Sequence, residues 1–140
     1  MTIAFDHVGL SVGDLEAQTR WYAGALGLFA RNPFEVKPLG IRGVFVVHES
    51  GWAIELLERE GSIPREPAND QAAALLYRGY GHICLRVTDV DGTHSALLAA
   101  GANELMAPQS APEPSVRMSF VADPENNLIE LLDRNGSVGS

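Results

Sequence analysis

Only one cysteine, Cys84, occurs in the 140 residues. A disulfide framework within the chain is therefore excluded, which fits a reducing compartment. No apolar run approaches the ~20 residues that a membrane-spanning helix needs. The first residues, Met1-Thr2-Ile3-Ala4-Phe5, lack both the basic region and the hydrophobic core of a secretion signal. A cytoplasmic protein is expected. Basic surface is lacking too. The formal net charge is −8, which argues against nucleic acid and anionic membrane as partners. No segment is of low complexity, and the composition is ordinary for a globular protein. The length suits one domain with a real core.

What the chain does have is a repeat at an offset of 75 residues. His7 recurs as His82, and Glu55 recurs as Glu130. The same step pairs Asp14 with Asp89, Arg42 with Arg117, and Phe45-Val46 with Phe120-Val121. No gap is needed.

Each copy reads as β-α-β-β-β. Over Phe5–Val12, Val8, Leu10 and Val12 point one way, while His7, Gly9 and Ser11 point the other. In the second copy Ile83, Leu85 and Val87 oppose His82, Cys84 and Arg86. One face is apolar and suits a covering helix. The other resembles the wall of a cleft. Asp14 and Asp89 are expected N-caps, with Gly27 and Gly101 closing the helices. Strands are expected near Phe34–Leu39, Arg42–His48 and Trp52–Glu58, then at Glu104–Ala107, Val116–Ala122 and Asn127–Asp133. The domain reading is one domain over 1–140. It comprises modules at 4–59 and 77–134, a linker at 60–76 with a short helix at Gln71–Leu76, and a flexible tail at 135–140.

Glu55 and Glu130 fall mid-strand among apolar neighbours. A carboxylate there is costly unless it is paired, hydrogen-bonded or bound to metal. If the two modules face each other, His7, Glu55, His82 and Glu130 come to one centre. Two imidazoles and two carboxylates suit one divalent metal ion, whether Zn, Ni, Co, Mn or Fe. Of the other histidines, His48 beside a hairpin turn is read as a surface residue and His94 within the second helix as structural. Cys84 either lines the cleft or packs as a small hydrophobe. Arg86 faces the cleft or its rim, where it grips an anionic substrate group or a carboxylate of the protein. Arg42 and Arg117, at strand starts, are read as solvated.

The segments Asp6-His7-Val8-Gly9-Leu10-Ser11-Val12-Gly13-Asp14-Leu15, Trp21-Tyr22, Leu26-Gly27-Leu28, Tyr80-Gly81-His82-Ile83 and Asp123-Pro124-Glu125-Asn126-Asn127-Leu128-Ile129-Glu130-Leu131 resemble the vicinal oxygen chelate superfamily. This is the glyoxalase/bleomycin resistance/dioxygenase fold. The resemblance implies an α+β fold of two βαβββ modules forming a cup-shaped mixed sheet around a divalent metal. His7, Glu55, His82 and Glu130 match the ligand positions of the glyoxalase I branch. It further implies a lyase or isomerase that moves a proton next to a carbonyl through an enediolate. Glu130 matches the usual base, and Glu55 is the other candidate. Metal coordination and a displaceable carboxylate account for that chemistry.

Glyoxalase I proteins hold arginine four residues after the first histidine and asparagine four after the first glutamate, where both touch glutathione. Here Ser11 and Arg59 stand there. Ser11, Arg59 and Arg86 are accordingly the expected substrate-binding residues, and the substrate differs from glutathione adducts at that end. Alternatives are an acyl-CoA or sugar-type epimerase, an Fe(II) extradiol dioxygenase and a non-catalytic resistance-type binding protein. A homodimer acting on a small molecule is expected, because half-cup modules leave sheet edges to cover.

Overall fold

The computed structural model describes residues 1–139. The chain forms two compact units, Met1–Pro64 and Arg65–Ser140. The tail expected at 135–140 ends in Ser140, which lies outside the described residues. Among those residues no helix is long and apolar enough to cross a membrane.

Unit 1 runs β1 (His7–Val12), α1 (Leu15–Leu26), β2 (Phe29–Val36), a 3-10 turn (Lys37–Leu39), β3 (Ile41–Val47) and β4 (Ala53–Arg59). Its strands order as β1-β4-β3-β2. The β1–β4 pair is parallel and the others are antiparallel. Unit 2 runs α2 (Gln71–Ala74), β5 (His82–Arg86), α3 (Val90–Ala99), β6 (Asn103–Ser110), β7 (Arg117–Ala122) and β8 (Leu128–Asp133). It repeats the order as β5-β8-β7-β6, with β5–β8 parallel. The βαβββ module and its mixed sheet are therefore observed twice.

Local chemistry explains the helices. Asp14 accepts from the Ala17 amide and Asp89 from the Gly92 amide, each at 2.9 Å. These are N-caps that satisfy otherwise orphaned donors. Glu58 reaches across from β4 and accepts from the Leu15 amide at 2.8 Å, placing a negative charge at the start of α1. Gly27 ends α1 at φ 65°, a left-handed conformation that glycine adopts without penalty. Between α1 and its sheet, Tyr22 of the helix and Val12, Val46, Ile54 and Leu56 of the strands are all nearly inaccessible. In unit 2, Val90 and Leu97 of α3 and Val121, Ile129 and Leu131 of the strands play the same part.

Three expectations need correction. The second strand starts five residues before Phe34, at Phe29, and residues 37–39 form the 3-10 turn instead. Arg42 is not merely solvated. It donates to Glu16 at 2.7 Å and to Glu58 at 2.7 Å, tying helix to sheet. Arg117 repeats this clamp on Asp91 at 2.6 and 2.7 Å. Each arginine sits on the helix side of its strand, within reach of the first helical turn. That is where it meets a carboxylate.

His94 is structural, as read from the sequence. It is buried, with Nδ1 3.0 Å from Ser119 Oγ and Nε2 2.7 Å from Glu104 Oε2. His48 stacks on Trp52 beside the turn, with ring centroids 5.1 Å apart.

Candidate metal and substrate site

The face of each sheet turned away from its helix carries the candidate ligands. In unit 1, register places Gly9, Glu55 and Phe45 in one row across β1, β4 and β3. The next row along β1 holds His7. In unit 2 the corresponding row is Cys84, Glu130 and Phe120, with His82 in the row before it.

Within unit 1, His7 Nε2 lies 3.6 Å from Glu55 Oε1. Asp6 holds the other ring nitrogen at 2.6 Å. That hydrogen bond raises the imidazole pKa above its ordinary value, with smaller contributions from Glu55. It also fixes the ring, leaving Nε2 aimed at the carboxylate, the arrangement that commonly supports a metal-binding histidine. The ring meets Phe45 edge to face, with centroids 5.1 Å apart and planes at 87°.

Unit 2 repeats the geometry. His82 Nε2 lies 3.0 Å from Glu130 Oε2. The ring meets Phe120 edge to face at 5.1 Å and 86°. Both carboxylates are enclosed, Glu130 more so, with 14% of its side chain exposed against 22% for Glu55. The four candidate ligands are thus met as two His–Glu pairs, one per unit. Among the described residues no group of three or more His, Cys, Asp or Glu side chains gathers in one place. Each pair fits half of a divalent ion's donor set. It offers one imidazole nitrogen and one carboxylate oxygen on the same side, with the apolar ring of Phe45 or Phe120 packed beside the imidazole.

Cys84 is exposed on this face and does not pack as a core hydrophobe. Local desolvation and the neighbouring Glu130 carboxylate push its thiol up to about 12. A thiol so held is protonated at neutral pH and a poor nucleophile. Arg86 and Ser11 are exposed on the faces of His82 and His7 respectively. Arg59 is exposed at the end of β4.

Residues 4–131 match the family model of the Glyoxalase/Bleomycin resistance protein/Dioxygenase superfamily. The chain belongs to this superfamily. Its relatives include a probable lactoylglutathione lyase of Vibrio parahaemolyticus. That protein is 28% identical over 137 residues, covering 95% of this chain and 93% of the relative. The lactoylglutathione lyase of Haemophilus influenzae is 28% identical over 135 residues, covering 94% and 93%.

Among solved structures, a glyoxylase/bleomycin resistance protein/dioxygenase domain from Frankia sp. matches with TM-score 0.76 and 23% identity. The match covers all of this chain and 96% of that one. Glyoxalase I from Zea mays matches with TM-score 0.75 and 20% identity over 94% of this chain. This chain spans 45% of the maize protein's length. At these identities the structural likeness establishes the fold.

Three features escaped the sequence reading. Asp6 adjoins His7, but a carboxylate before a strand carries no signal of its own. The phenylalanines under the histidines were visible as the Phe45/Phe120 repeat without a role. Arg134 lies at the same offset from Arg59, and that repeat was its signal.

Proposed function

We propose that the protein is a divalent-metal-dependent lyase or isomerase of the glyoxalase I type. It transfers a proton at a carbon next to a carbonyl of a small oxygen-chelating substrate. The observation that carries this reading is the His–Glu pair built twice, at 3.6 and 3.0 Å, each histidine braced edge-on by a phenylalanine. His7, Glu55, His82 and Glu130 would hold the metal. The ion, when bound, supplies a Lewis acid that stabilises negative charge on the carbonyl oxygen.

The chain's own residues do the rest. Glu130, the more enclosed carboxylate, takes the proton from carbon and returns it to the neighbouring carbon. Glu55 is its repeat-related counterpart on the other unit. Phe120 and Phe45 keep water from the histidine rings. Ser11, Arg59 and Arg86 contact the remainder of the substrate. Relatives named lactoylglutathione lyase support the reaction class. Ser11 and Arg59 argue for a substrate whose tail differs from glutathione. The proposal includes a cytoplasmic homodimer, since each four-stranded sheet has two edge strands to protect.

Deuterium exchange tests the reaction. With divalent metal and without oxygen, the enzyme should exchange a substrate C–H with deuterated water. Candidate substrates are 2-oxo aldehyde thiol adducts and acyl-CoA thioesters. Exchange that persists in Glu130→Gln would remove Glu130 from the base role. Oxygen consumption with a catechol and Fe(II) would favour a dioxygenase instead.

A further inference from the structure

The helix-free face of unit 2 carries two guanidinium groups that the proton transfer leaves unused. Arg86 alternates with Cys84 and His82 on β5 and stands opposite Leu132 on β8. It is exposed and makes no hydrogen bond or ion pair among the described residues. Arg134 follows β8, next in alternation after Glu130 and Leu132. Its side chain is only 13% exposed. One Nη2 group donates to Glu113, while the buried Nε–H meets no acceptor.

A buried charged donor left unmatched is costly, so an acceptor belongs beside it. Arg86 stands opposite Leu132, two residues before Arg134, so the two arginines lie at the same end of that face. On the helix side of the sheets Arg42 is neutralised by Glu16 and Glu58 and Arg117 by Asp91, whereas Arg134 is paired with Glu113 through Nη2 alone. At the repeat-equivalent positions unit 1 holds Ser11 and Arg59, so the arginine pair exists in unit 2 alone. In a chain of net charge −8, the unpaired Arg86 on the site face marks a preference for anions there.

We infer that Arg86 and Arg134 form a subsite for a carboxylate or phosphate group of the substrate, beside the His82–Glu130 pair. The guanidinium fork matches either oxyanion in a two-pronged contact. This inference rests on reading that face as the active face, and it adds an anionic group to the substrate class.

The test is NMR titration of metal-free protein with N-acetylglycine as the carboxylate probe and methyl phosphate as the phosphate probe. At least one should shift the amides of β5 and of Arg134 saturably. Arg86→Gln should weaken that binding about tenfold or more while leaving the melting temperature unchanged. Arg134→Lys, which keeps the charge but loses the fork, should weaken it as well. Binding of one probe alone supports the subsite and names the group. Wild-type protein that binds neither probe, or an Arg86→Gln variant that binds as tightly as wild type, overturns the inference. A parallel Zn titration separates the two claims. Anion binding without metal binding leaves the subsite standing and removes the proposed function, while the converse removes only the subsite.

Discussion

The His82 ring meets the Phe120 ring edge to face, with centroids 5.1 Å apart. This contact fixes the direction in which Nε2 points, toward Glu130 at 3.0 Å. Aromatic pairs of this kind contribute about 0.5–1.5 kcal/mol beyond simple burial. Phe120→Leu should therefore lower divalent-metal affinity by about two- to tenfold, as read by calorimetric titration. Phe45→Leu should do the same through His7. Unchanged affinity in both would show that the rings do not orient the ligands.

The His94–Ser119–Glu104 network lies on the helix side of unit 2 and holds the module together. His94→Gln cannot reproduce both hydrogen bonds and leaves buried Ser119 underserved. A loss of about 1–3 kcal/mol in unfolding free energy is expected from urea denaturation. Metal affinity should stay within about twofold of wild type. A large loss of metal in this variant would contradict that purely structural role.

Acid should weaken both helix clamps. The Arg117 guanidinium holds the Asp91 carboxyl below its ordinary value, and Arg42 does so for Glu16. A carboxylate depressed in the folded state adds stability above its unfolded pKa. That stability is lost as pH falls through the folded value. Thermal melts between about pH 6 and pH 3 should fall less steeply for Arg117→Gln than for wild type. The difference should shrink in high salt, because both partners are exposed. Identical acid dependence would mean that the clamp contributes nothing.

Gly43 is the seat of the Phe34 ring. A Cβ added there would stand 2.3 Å from the ring's Cζ atom. Gly43→Ala must push Phe34 aside, at a cost of about 1–3 kcal/mol. In a Phe34→Ala background the same change should cost much less. A double-mutant cycle by chemical denaturation measures the difference, and additive costs would contradict the contact.

The sequence made the two modules legible because the alternation of His82, Cys84 and Arg86 against Ile83 and Leu85 is strict. The two caps at Asp14 and Asp89 were legible for a similar reason, since capping is local chemistry. The edge strands were not. The strand was expected only from Phe34, but β2 continues through Pro33 and the left-handed Asn32 (φ 51°), which accompany a register shift within an edge strand. Arg42 and Arg117 were misjudged because their partners Glu16 and Asp91 lie 26 residues away. Only folding brings them together. The metal-ligand candidates stood out through repetition. Asp6 and Arg134 matter through contacts that spacing does not encode.

The proposed function requires His7, Glu55, His82 and Glu130 to bind one divalent ion. The direct measurement is Zn titration of metal-stripped wild type against His7→Ala, His82→Ala, Glu55→Gln and Glu130→Gln. One ion should bind per chain, and every substitution should weaken it, the histidine changes by more than about a hundredfold. A wild-type protein that binds no divalent ion, or a His7→Ala variant that binds as tightly as wild type, would contradict the account.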